Sequence, residues 1–247
     1  MQIQCVVFDM AGTTVNEDNL VYKTLQAAIN HYNVPVDLDH VLLHGAGKEK
    51  FQAIKDIISN SPYALDELVQ LEAFNYFLAQ LDIAYKNFKV TPMPGAEQVF
   101  IALKEKGIQV VLNTGYNRAT AESLLAQLGW SEGAQIDLLV TASDVLHNRP
   151  MPDMILYAKD KLNIADTKQM VKIGDSCIDI EEGKNAGCGL TIAVLSGAQS
   201  KAELEKASPD YILNTISEAE GVARGTKIIL HLKDSEREFS FKETVER

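Results

Sequence analysis

Three observations predict a doubly wound α/β fold with a helical insertion. Short apolar runs rich in Val and Ile recur along most of the chain. Helical patterns separate most of them, as crossovers between parallel strands require. The one long gap between such runs, from about residue 18 to residue 88, reads entirely as helix.

The strand candidates, in order, are Ile3–Asp9, Ile108–Thr114, Ile136–Ala142, Met170–Asp175, Leu190–Leu195 and the weaker Asp210–Leu213. They are continuously apolar rather than alternating, which suits a parallel sheet buried on both faces. In the gap, Leu20, Tyr22, Lys23 and Leu25 open a helix whose apolar spacing runs through Leu25, Ala28, Ile29 and Tyr32. Phe51, Ile54, Ile57 and Ile58 mark a second helix, and residues 65–85 a long third. Pro92 and Pro94 punctuate the return to the sheet. The predicted organisation is a Rossmann-like core of residues 1–16 and 89–225 and a helical cap of residues 17–88. Residues 226–247 form an extension. In that tail TKIILHLKD and REFSFKE read as two short strands, a packing hairpin or an oligomer contact.

Composition narrows the function. The net charge of −11 opposes nucleic acid and anionic membranes. It leaves room for an anionic small molecule, because a basic side chain or a cation reverses the sign inside a cleft. No apolar run reaches membrane-spanning length, and the N-terminus reads as a strand rather than a signal peptide. Cys5, Cys177 and Cys188 form no paired pattern and no zinc spacing, so a reducing, cytoplasmic setting is expected. Cys177 has no base or cation nearby in sequence and reads as a packing residue.

In an open parallel sheet, ligands collect at the carboxyl ends of the strands. Asp9–Thr14 follows the first strand, Asn113–Gly115 ends the second, and Gly174–Asp179 ends the fourth. A fourth cluster, Asn148–Pro152, precedes a helix. Singly, each has an ordinary reading. Asp9 or Asp179 could cap a helix, Thr114–Gly115 could be a turn, and Arg149 a solvated charge. Four convergent clusters in this order point to a site.

The order resembles the four motifs of the haloacid dehalogenase superfamily. FDMAGTT, NRPMP and GDSCIDIEEGKNAG resemble its phosphonatase branch, which hydrolyses phosphonoacetaldehyde, and FDMAGTTV and LVY are closer still to the proteins called phosphonatase-like. The resemblance implies that Asp9 attacks phosphorus and forms an aspartyl-phosphate. It implies Mg2+ held by Asp9, Asp175 and the Ala11 carbonyl, with Asp179 orienting a water of its shell. Thr114 and backbone N–H groups near Met10 and Gly115 would bind the phosphoryl group, and Arg149 would balance Asp9. The partner would be a small phosphonate or phosphate, with a homodimer allowed.

Ala11 is the informative departure. Most phosphatases of this superfamily carry a second Asp there, as general acid and base. Phosphonatase resembles this chain in having Ala, because a cap lysine forms an imine that takes the electrons of the broken C–P bond. Lys48 matches that lysine. Phe51, Asn19 and His44 stand where phosphonatase has His, Cys and Met. Lys48 therefore has two readings, imine formation or simple anion binding, and His44 reads as a substrate contact or a cap-surface residue. A phosphomonoesterase or phosphomutase of the same superfamily, and a non-enzymatic binding protein that keeps the fold, are the alternatives.

Overall fold

The protein is described from a computed structural model, over residues 2–219. The two strands expected after Gly225 lie outside that range. The chain opens with β1 (Cys5–Asp9) and a two-residue β2 (Val15–Asn16), then enters α1 (Leu20–His31), α2 (Leu38–Gly45), α3 (Lys50–Ser59) and α4 (Glu67–Asn87). It returns through β3 (Thr91–Pro92), α5 (Ala96–Glu105), β4 (Gln109–Thr114), α6 (Arg118–Leu128) and β5 (Leu138–Thr141). It finishes with α7 (Asp153–Lys161), β6 (Met170–Gly174), α8 (Cys177–Asn185), β7 (Leu190–Val194), α9 (Lys201–Leu204) and β8 (Tyr211–Leu213).

The six long strands form one parallel sheet in the order β5-β4-β1-β6-β7-β8. Side chains alternate between its faces. Val6 and Phe8 join one core with Val110, Leu112, Val171 and Ile173, while Cys5 and Val7 join the other with Val111, Met154 and Ile155. Both faces are therefore dry, which is why the strands read as unbroken apolar runs. The predicted strands match the observed ones to within two residues at each end. None of the described helices is long and apolar enough to cross a membrane.

Two features of the insertion differ from the expectation. A further helix, α2, lies between the first two anticipated ones, capped by the Asp37 side chain, which accepts from the His40 N–H. It is short, and little of it is buried, so its apolar spacing is weak. The second feature is the β2–β3 ladder, which pairs Val15 with Pro92 and Asn16 with Thr91 where the chain leaves and re-enters the core. Two-residue strands carry no periodicity to read. Asp18 and Asn19, both at positive φ, turn the chain into α1, a conformation that Asp and Asn tolerate better than bulkier residues.

Candidate active site

β1 lies between β4 and β6, so the strand order reverses at its carboxyl end, where a crevice forms. Asp9 ends β1, Thr114 ends β4, and Asp175 directly follows β6. Carboxylate oxygens of Asp9, Asp175 and Asp179 come within 4.8 Å of one another, and all three residues are buried. Asp175 is held by the Ala198 N–H at 2.6 Å and the Thr13 hydroxyl at 3.2 Å. The Ser176 hydroxyl donates to Asp179 at 2.5 Å. Ala11 sits beside this cluster at 9% exposure, and Met10 is fully buried.

Arg149 ties the cluster together. Its Nη1 donates to Asp9 at 2.6 Å and lies 2.9 Å from Asp179 Oδ1. Nε donates to Glu182 at 3.0 Å, and Nη2 to the Asn113 backbone and side-chain oxygens at 2.9 and 2.5 Å. Beneath it Lys172 Nζ donates to Asn113 Oδ1 at 2.5 Å and lies 3.0 Å from Asp179 and 3.2 Å from Glu182. Sequence reasoning named Asn113 only as the start of a strand-end cluster, and missed Lys172 and Glu182 as members of the site. The available signals were a lysine inside an apolar strand and an acid three residues after Asp179, hence on the same helix face.

The charges do not balance evenly. Burial raises the Asp9 carboxyl and Asp179 raises it further, against the opposing pull of Arg149 and Lys172. Burial, with Asp9 and Asp179, pushes Asp175 well above the carboxylate range. For Asp179 burial is outweighed by Arg149 and Lys172, which hold it low. A hard divalent cation fits this arrangement, because it would relieve the crowding of Asp9 and Asp175 with oxygen donors alone. Asp179 Oδ1 is already held between Arg149 Nη1 at 2.9 Å and Lys172 Nζ at 3.0 Å.

Thr114 is buried, and its Oγ1 accepts from the Tyr116 N–H at 3.2 Å, leaving the hydroxyl proton to be donated elsewhere. Gly115 is where the insertion touches the core. A Cβ there would stand 2.6 Å from the Lys48 carbonyl oxygen. The Gly47 carbonyl accepts from Arg149 at 3.4 Å, and the Gly47 N–H donates to the Tyr22 hydroxyl at 3.0 Å. The insertion loop is thus closed down on the carboxylates.

Within that loop the structure separates two lysines. Lys48 turns its ammonium onto Asp56 of α3, and its side chain is 26% exposed. His44 packs its ring 4.5 Å from His40. Neither side chain hydrogen-bonds or ion-pairs with Asp9, Asp175 or Asp179. Lys50, which sequence reasoning passed over, is buried instead. Its Nζ donates to the Lys48 carbonyl at 2.6 Å and lies 5.1 Å from the Tyr116 ring centre. Among the described residues no carboxylate pairs with it. Burial lowers its pKa, while Asp9, close enough to be felt, pulls it back up.

Glu17, at the entry to the insertion, accepts from Tyr85 at 2.5 Å, and Tyr85 meets the Tyr116 hydroxyl at 2.9 Å. Burial raises the Glu17 carboxyl to about 7, against the hydrogen bonds from Tyr85 and the Val21 N–H and the field of Lys50. A raised carboxyl favours the fold below its unfolded pKa, and that contribution is lost as pH rises through the folded value. Between pH 5 and 8 the wild type should therefore lose about 2.5 kcal/mol that Glu17→Gln does not lose. Parallel denaturant titrations at the two pH values check this; an equal change in unfolding free energy for both proteins would refute it.

Residues 3–187 match the model of the haloacid dehalogenase-like hydrolase family. The chain is 31% identical over 249 aligned residues to the phosphonoacetaldehyde hydrolase of Latilactobacillus sakei subsp. sakei, covering 87% of this chain and 93% of that protein. A phosphonoacetaldehyde hydrolase-like protein from Oleispira antarctica superposes with a TM-score of 0.78 at 23% identity, over 92% of this chain and 93% of the other. A predicted phosphoglycolate phosphatase from Haemophilus somnus superposes at 0.72 with 19% identity, over 90% and 98%, and shows the shared fold. The chain belongs to the haloacid dehalogenase-like hydrolases, and to the phosphonatase-like phosphohydrolases among them.

Proposed function

We propose that the protein is a magnesium-dependent hydrolase of a small phosphonate, cleaving a C–P bond of the phosphonoacetaldehyde type through a phosphorylated Asp9. The observation that carries the reading is the convergence of Asp9, Asp175 and Asp179 beneath Arg149 with Ala11, not an acid, two residues after the nucleophile. Asp9, Asp175 and the Ala11 carbonyl would hold the magnesium, which would neutralise charge between a carboxylate and an anionic phosphoryl group. Asp179 would complete the acidic shell. Thr114 and the backbone at Met10 and Gly115 would bind phosphoryl oxygens, and Arg149 would hold Asp9 in line.

A side chain at Ala11 cannot protonate a leaving oxygen. The reading therefore favours a leaving carbon whose electron pair passes into an adjacent carbonyl or its imine. Water then cleaves the aspartyl-phosphate, so the net reaction consumes one water and yields phosphate and the carbonyl product. Residues 17–88 would act as the cap that excludes bulk water. For the cap amine we favour Lys50 over Lys48, on the burial of one and the pairing of the other with Asp56. In that reading His44 has no direct part.

Phosphate release from phosphonoacetaldehyde, run beside a panel of phosphate esters that includes phosphoglycolate and sugar phosphates, tests the function. Release from the phosphonate should exceed that from the esters, vanish in excess chelator and return with magnesium. Faster turnover of an ester would move the assignment to a phosphomonoesterase. Lys50→Arg should abolish phosphonate turnover while Lys48→Arg keeps much of it; the reverse pattern would return the role to Lys48.

A further inference from the structure

A cavity of about 240 Å3 lies between α4 and the core loops. One wall is apolar, made by Phe74, Phe77, Leu78 and Leu81. Lys50, Gly115 and Asn148 contribute to the other. Asp9, Thr114, Asp175 and Asp179 are not in its lining, although Gly115, the neighbour of Thr114, is. The cavity therefore adjoins the phosphoryl-binding backbone at Gly115, and it has room for the rest of a substrate.

The volume is too large for a two-carbon aldehyde. At the ~30 Å3 that a water molecule takes up in the liquid, it has room for on the order of eight non-hydrogen atoms. One polar group in the lining also has capacity to spare. The Lys50 ammonium has three donors, and among the described residues it uses one of them, on the Lys48 carbonyl.

Resting on the phosphonate reading above, we propose that this cavity is a leaving-group subsite for a longer, amphipathic carbonyl chain. The substrate class is 2-oxoalkyl phosphonates with several carbons beyond the carbonyl. The carbonyl faces Lys50, and the alkyl part lies on the α4 wall. Each added methylene that leaves water for the apolar wall should raise kcat/KM about fourfold until the cavity is full.

The test is phosphate release by the full chain, with magnesium, from a series running from phosphonoacetaldehyde through 2-oxopropyl, 2-oxobutyl and 2-oxohexyl phosphonate. The expected result is a rise of at least tenfold in kcat/KM along the series. Leu78→Trp, which fills the cavity from α4, should cut the ratio of longest to shortest by about tenfold. Activity on phosphonoacetaldehyde with a flat or falling series overturns the subsite and leaves the phosphonate reading standing. A rising series whose ratio Leu78→Trp leaves unchanged overturns the cavity as its cause. Release from no member of the series overturns both.

Discussion

Asp9→Asn is expected to lower turnover by roughly 10^4-fold or more, because the group that forms the covalent bond is removed while the binding site stays. The same variant should be no less stable than the wild type when magnesium is withheld. Burial and the neighbouring Asp179 raise the Asp9 carboxyl. Its contribution to stability is thus complete below the unfolded pKa and lost as pH rises through the folded value. An amide resembles the protonated acid at every pH, so Asn avoids that loss and retains an oxygen for Arg149. Phosphate release and thermal unfolding in chelator measure the two effects. Near-native turnover would show that Asp9 is not the nucleophile, and a clear fall in the unfolding midpoint would show that the charged bond to Arg149 outweighs the crowding.

Arg149→Met should give the largest loss of stability. Arg149 Nη1 and Nε lie 2.6 to 3.0 Å from Asp9, Asp179 and Glu182, and its side chain is 1% exposed. Its removal strands three buried carboxylates with Lys172 alone. A loss of about 3–5 kcal/mol is expected, together with loss of activity. Arg149→Lys keeps the charge but lacks the planar fork that serves the carboxylates and Asn113 at once, so it should recover only part of the deficit. Acid should narrow the gap between Arg149→Met and wild type, since stranded carboxylates take up protons readily. Urea unfolding at pH 7.5 and pH 5 provides the measurement. A deficit under 1 kcal/mol at both pH values would show that the network carries little of the fold's stability.

The architecture of this protein and the order of its polar clusters were written in its sequence. Two-sided burial of a parallel sheet forces each strand to be apolar throughout, so β1, β4, β5, β6 and β7 stood out from the helices between them. Asp9, Thr114 and Asp175 stood out because the sheet places strand ends together, and a polar residue at such an end is conspicuous after an apolar run; Asp179, in the first turn of α8, was reached through the resemblance of the segment that carries it. Ala11 was legible as an absence, since the pattern around it was otherwise complete.

What the sequence could not decide is which long side chains reach the site. Lys48 and Lys50 are two residues apart in one polar stretch, and both lie where a closing loop could aim them inward. The fold pairs Lys48 with Asp56 and buries Lys50 against Tyr116, a choice made by α3 and by a loop beyond β4 that is far away in sequence. Glu17, Tyr85 and Tyr116 likewise meet only because the two legs of the insertion converge on that loop. Local pattern reports the period and polarity of a segment, so it determined the sheet and its strand-end motifs. Contacts between flexible side chains from distant elements depend on packing in three dimensions, and for the insertion loop only the tertiary structure decided them.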